Sequence, residues 1–166
     1  QMIILEFSPT IISLILAGKL GSQIASEIGS MRVTQQIDAL QVMGINTANY
    51  LILPKIIASL LFIPVLIIFS IVIGILGGWL ACIVANVITP TNYVIGLRAW
   101  FEPFSVTFAM IKTVVFAFLI SSISSYIGYS VKGGSVEVGK ASTQAVVISS
   151  IAIIIFDLIL TQMLLT

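Results

Sequence analysis

The sequence predicts an all-α integral membrane protein, one domain over residues 1–166 with about four transmembrane helices and a short cytoplasmic helix. Three observations predict it. Hydrophobic residues make up 59% of the chain and charged residues only 8%, where soluble domains carry about a quarter charged residues. Mean hydropathy is +1.22. Four apolar stretches reach or approach the roughly 20 residues that cross a bilayer core as helix. Backbone groups in lipid must find partners within their own segment or a closed barrel. The alternating strands of about ten residues that build a barrel are absent, so the stretches are read as helices.

Composition also excludes functions. A net charge of +1 gives no basic field for nucleic acid. Cys82 is the one cysteine, so no internal disulfide is possible. There is no histidine, which removes the commonest metal ligand and the usual general base. No cofactor is implied. The first residues lack a basic n-region and place Glu6 where a signal peptide would be apolar. Because the chain enters an apolar run at once, an N-terminal part of the natural protein is expected to precede it.

In chain order, the first apolar stretch is 2–17, short for a span. A polar, amphipathic region follows over 19–50, which lipid would reject and which is therefore placed in the cytoplasm. The second stretch, 56–88, is too long for one straight span and too short for two with a turn. Pro64, Gly74, Gly77 and Gly78 allow one kinked or tilted helix. Charge settles the parity. With a single crossing, Lys19, Arg32, Lys55, Lys132 and Lys140, five of the seven basic residues, fall on one side. Two crossings would split them three against two. The positive-inside rule makes that shared side cytoplasmic. The periplasmic loop is then 89–103, bracketed by Pro90 and Pro103, with Tyr93, Trp100 and Phe101 suited to the interface. The spans 104–129 and 145–165 follow, separated by a glycine-rich cytoplasmic loop over 130–144. Gly74 and Gly78 form a GxxxG pair, a weak signal for close helix packing or dimerisation.

Within the polar region, Ile24, Ile28 and Met31 follow helical spacing, and Ile37, Leu40 and Met43 repeat every three residues. The pattern predicts two short helices broken near Gly29 and Ser30, the second capped by Thr34 and stopped at Gly44. An interfacial helix on lipid would want a basic strip. Here the polar positions are Glu27, Gln35, Gln36 and Asp38, which favours docking on a protein. The run from Gly134 to Lys140 approaches a phosphate-binding loop, but Ala141 stands where that loop needs Ser or Thr. It is read as a turn, and the chain is not expected to bind ATP itself.

Three ionisable residues interrupt the apolar stretches: Glu6, Lys112 and Asp157. Such residues face a bundle interior or a polar cavity. Counted from the predicted cytoplasmic helix ends, they lie roughly 18, 25 and 20 Å up, all in the outer half of the membrane. They are expected to converge, as a structural ion pair or as the lining of a substrate cavity.

The segment GKLGSQIASEIGSMRVTQQIDALQVMGI and the later run KTVVFAFLISSISSYIGYSVKGGSVEVGKASTQAVVISS resemble the MlaE/YrbE-type permease family, the membrane subunits of lipid-transporting ABC systems associated with MCE proteins. The resemblance covers nearly the whole chain but lacks the family's N-terminal interfacial helix and first membrane helix. It implies a multi-pass permease of the bacterial inner membrane or its plastid equivalent. That permease would be a homodimer with two cytoplasmic ABC ATPases and a periplasmic MCE-domain ring, moving glycerophospholipids between the two membranes of the envelope. Within 34–44 it implies an ATPase-coupling helix presenting Gln35, Gln36, Asp38, Leu40 and Met43. Gln35 departs from the acidic residue frequent in the family. The positions matching Glu6, Lys112 and Asp157 lie at or near the lipid-binding cavity. An ion-coupled secondary carrier using these three as a proton relay, and a non-transporting membrane scaffold, are the competing readings. An intramembrane enzyme is weakest, because no Ser or Cys stands beside an evident base.

Overall fold

The structure is a computed structural model that describes residues 3–85, 89–99 and 101–165. Six helices account for the fold, with no strand among the described residues. They are α1 (residues 3–33), α2 (Gln36–Val42), α3 (Ala48–Ala85), α4 (Pro90–Ala99), α5 (Pro103–Tyr129) and α6 (Ser135–Leu165). Helices α1, α3, α5 and α6 are each long and apolar enough to cross a membrane.

Helix α1 runs much further than the apolar stretch 2–17. Its first turns, Ile3–Ile11, and the turns Ala17–Gly21 have wide π-helical geometry. Pro9 explains the first of these. It lacks the N–H that would bond the carbonyl four residues back, and its ring crowds that carbonyl. Widening the turn relieves both, and π-bulges of this kind recur at functional sites.

The polar residues 22–33 stay in the same helix. They pack against α5 and α6, burying Ile24, Ala25, Ile28 and Gly29. The break expected near Gly29 and Ser30 is therefore corrected. Gly29 serves close packing, since a Cβ there would meet Val131 and Val138 at 3.3 Å. The chain turns instead at Gln35, whose φ of 59° is left-handed. Thr34 is also reassigned. Its Oγ1 donates to the Ser30 carbonyl at 2.8 Å, so it closes α1 rather than opening α2. The stop at Gly44 stands: φ is +78°, its N–H donates to the Gln41 carbonyl and the Ile45 N–H to the Leu40 carbonyl. This pair of bonds is a Schellman motif, with glycine at the left-handed position.

Helix α3 is one uninterrupted helix of 38 residues with Pro64 buried inside it, in line with a single crossing; residues 86–88 of the predicted stretch lie outside the described residues. The region expected as the loop 89–103 carries α4, with both of its prolines in first helical turns, where a missing N–H costs nothing. Tyr93 Oη donates to the Ile75 carbonyl at 3.1 Å, and a Cβ on Gly78 would lie 2.7 Å from that hydroxyl. The GxxxG glycine Gly78 thus seats α4 within the chain. Trp100 lies outside the described residues. The expected loop 130–144 shrinks to 130–134, because α6 starts at Ser135 and includes Lys140.

Helix α5 is the axis of the bundle. Its buried face includes Phe108, Lys112, Phe116, Ile120, Ser124 and Gly128. Phe116, Ala117 and Ile120 join Ala17, Ile63, Ile67 and Ile153 in the main core. Large hydrophobic residues of α3 and α6, such as Phe62, Phe69, Ile151 and Leu158, point outward, as helices facing lipid require.

Candidate functional site

The three ionisable residues come together at the end of the bundle opposite α2. Lys112 projects from the middle of α5 with its side chain fully buried. Its Nζ lies 2.8 Å from Glu6 Oε2 of α1 and 2.6 Å from Asp157 Oδ1 of α6. The ammonium also sits 4.9 Å from the centre of the Phe108 ring, within cation–π range. Burial without partners would strongly disfavour a charged amine, so the two carboxylates are what allow Lys112 to sit inside the bundle.

Two threonines complete the cluster. Thr10 Oγ1 donates to Asp157 Oδ1 at 3.0 Å, and Thr161 Oγ1 donates to Glu6 Oε1 at 3.1 Å. Each threonine stands four residues after one carboxylate, on the same helix face, and reaches across to the other. Sequence reading missed both, although the matched spacings Glu6–Thr10 and Asp157–Thr161 were visible. The threonines fix carboxylate orientation and tie α1 to α6.

Charge and exposure are uneven. Two carboxylates surround one ammonium, leaving a surplus of negative charge. The Glu6 side chain is 38% exposed and that of Asp157 20%, while Lys112 has no open face. A ligand would therefore meet Glu6 first, and an anion could reach Lys112 only by displacing a carboxylate. Two grooves lie elsewhere, one of 320 Å³ between α1 and α3 near Gln23, Glu27, Lys55 and Phe62, and one of 290 Å³ between α5 and α6 near Tyr126 and Lys140. The charge cluster lines neither.

The second set of predicted residues lies on and beside α2. Ile37 is fully buried against Ile24, Ile28 and Tyr129, which pins the helix to the bundle. Gln35, Gln36 and Asp38 are exposed, Leu40 is half-buried, and Met43 is 67% exposed. Asp38 Oδ1 accepts from Arg32 Nη1 at 3.0 Å. Val42, overlooked in the sequence because it breaks the three-residue repeat, is 89% exposed. Together Val42 and Met43 give α2 an apolar tip beside polar positions, the composition of a protein-contact surface.

Comparison with known proteins agrees with this architecture. Residues 1–163 match the family described as Permease MlaE. A probable ABC transporter permease protein of Rickettsia bellii is 39% identical over 158 residues, covering 95% of this chain and 61% of the relative. The chloroplastic protein TRIGALACTOSYLDIACYLGLYCEROL 1 of Arabidopsis thaliana is 36% identical over 157 residues, covering 95% of this chain and 45% of the relative. A probable ABC transporter permease protein of Synechocystis is 34% identical over 156 residues. The chain thus spans about 61% of the length of the rickettsial relative. With the family match running almost end to end, the chain belongs to the MlaE permease family.

Proposed function

We propose that the chain is the permease subunit of an ABC-type transporter that moves glycerophospholipids between the inner and outer membranes of a bacterial envelope. A separate cytoplasmic ATPase docks on α2 and supplies the energy; the chain is a transport subunit and not itself an enzyme. The observation that carries the reading is the fully buried Lys112 held between the partly exposed Glu6 and Asp157 inside a four-helix apolar bundle. Intramembrane charges are expensive and mark substrate pathways. The names of the rickettsial and cyanobacterial relatives support an ABC permease, and the name of the plant relative supports a lipid as cargo.

In this reading the lipid headgroup approaches the exposed carboxylate of Glu6. Its phosphate then takes Lys112 by displacing Glu6, and the outward apolar faces hold the acyl chains. The cluster trades one anion for another, so Lys112 is never left without a partner. Four helices make too little wall to enclose two acyl chains, so the working unit is a homodimer. An MCE-domain protein on the periplasmic side receives or delivers the lipid.

The test is reconstitution of the purified transporter with its ATPase and MCE partner between donor and acceptor vesicles carrying a labelled phospholipid. ATP-dependent transfer is expected, with Lys112→Ala transferring at least tenfold less while the complex still assembles. Transfer driven by an ion gradient without ATP would instead establish the carrier reading, which the same ionisable cluster could serve as a proton relay.

A further inference from the structure

Tyr129 was not singled out in the sequence, yet four segments of the chain meet on it. It is the last residue of α5. Its hydroxyl accepts a hydrogen bond from Gln41 Nε2 of α2 at 3.0 Å and shares a second, at 3.1 Å, with Thr47 Oγ1 at the start of α3. The Arg32 guanidinium, at the end of α1, lies 5.3 Å from the ring centre while also binding Asp38 of α2. The ring itself packs on Ile37 and its neighbours. Gly128, one residue earlier, makes the junction possible: a Cβ there would stand 2.7 Å from the Ala25 carbonyl oxygen, so only glycine lets α5 approach α1 this closely.

The same helix carries Lys112. Between residues 112 and 128 α5 contains no proline or glycine, and Tyr129 lies seventeen positions after Lys112, about 26 Å along continuous helix. The Ser121 and Ser122 hydroxyls donate to the Ala117 and Phe118 carbonyls, contacts that can bend a helix, but α5 runs through them without a break. A shift of α2 therefore has a direct route into α5 through the Tyr129 hydroxyl, and α5 delivers it to the buried charge cluster.

We infer that Tyr129 is the positioning residue that couples movement of α2 to the Glu6–Lys112–Asp157 cluster, acting through its hydroxyl bonds to Gln41 and Thr47. The inference rests on the reading that an ATPase docks on α2, and goes beyond it by naming the linkage. Coupling free energies between sites commonly correspond to factors of five to about a hundred and fifty, so loss of the hydroxyl should be visible.

The experiment uses the ATPase-bound transporter with Val106→Cys as a reporter in a Cys82→Ser background. Val106 is exposed near the outer end of α5. The rate of maleimide labelling is compared without nucleotide and with ATP and vanadate. A nucleotide-dependent change in rate is expected in the parent, reduced about fivefold or more in Tyr129→Phe, with ATPase recovery unchanged. Gln41→Leu, which removes the partner from an exposed position, should give a smaller reduction in the same direction. A full-sized change in Tyr129→Phe would overturn the inference. So would a parent that shows no change, or a Tyr129→Phe complex that loses its ATPase, since the tyrosine would then serve docking alone. Phospholipid transfer is measured on the same samples. A parent that responds to nucleotide but moves no phospholipid would refute the lipid reading and leave the Tyr129 linkage standing.

Discussion

Replacing Lys112 separates a structural role for the charge cluster from a transport role. Lys112→Met keeps the length and apolar stem of the side chain but leaves Glu6 and Asp157 facing each other across a buried gap. Removing one partner of a buried ion pair typically costs about 3–5 kcal/mol, because the remaining charge is uncompensated. Glu6 is 38% exposed and retains contact with its surroundings, so the expected cost is at the low end, about 3 kcal/mol. The triple variant Glu6→Gln, Lys112→Met, Asp157→Asn removes every charge while its amides can still accept from Thr161 and Thr10. Replacing a whole buried ionic group by well-packed hydrophobic residues is often neutral or stabilising. The triple variant keeps two polar amides but leaves no uncompensated charge, so it should recover part of the stability lost in the single one. Stability is read as the fraction of monodisperse complex surviving a heating series, and function as ATP-dependent lipid transfer. The expected pattern is a destabilised, inactive single variant and a more stable, inactive triple variant. A triple variant that transfers lipid at the parent rate would refute the substrate role and reduce the cluster to a clamp between helices.

Other outcomes follow from the same geometry. Gly128→Ala should force α1 and α5 apart, because the clashing atom is backbone; overpacking of this kind costs about 1–3 kcal/mol, checked by the same heating series, and an unshifted midpoint would contradict the close approach. Replacing Gln35 and Asp38 with Lys should lower recovery of the ATPase on purification while leaving membrane insertion intact, and undiminished recovery would count against docking on α2. Single-cysteine variants on the exposed faces of α3 and α6, in a Cys82-free background, should crosslink two copies in native lipid, whereas a monomer at every position would defeat the homodimer.

The helical membrane fold was legible because its signals are local. Length and apolarity of a span are fixed by bilayer thickness, and the parity of the second stretch followed from the positions of five basic residues. Convergence of Glu6, Lys112 and Asp157 was also legible, since depth along a helix can be counted. The counted depths spread over about 7 Å although the groups touch, because the helix ends they are counted from do not lie at one level: α1 runs on to Val33 and α6 starts at Ser135. What the sequence concealed was tertiary. Gly29 looks like a helix break and is a packing contact with Val131 and Val138. Residues 22–33 look like a surface segment and are a helix wedged against α5 and α6. Tyr129 looks like an ordinary aromatic at a helix end; only the fold brings Gln41 and Thr47 to its hydroxyl.

Residues 18–33, polar as they are, pack against α5 and α6 through the kind of contact that membrane helices use. In lipid an apolar partner gains little over a lipid tail, so association relies on small residues, close backbone approach and polar contacts. Helices α1 and α5 meet along such residues. Gly21 faces Ser124, Gly128 faces Ala25, and Ser142 of α6 donates to the Ser22 carbonyl at 3.1 Å. Low hydropathy in this part of α1 goes with close packing against α5 and α6. The same face joins the two ends of the molecule. At one end it carries Arg32 to Tyr129 and α2; at the other, the wide turns around Pro9 present Glu6 to Lys112. A transporter powered from one side needs a rigid connection of this kind, because a loose one would absorb the motion before it reached the buried charges. In the proposed reading, the small residues buried along α1 and α5 would supply that connection, and Gly21→Val or Gly128→Val should lower both ATPase recovery and lipid transfer.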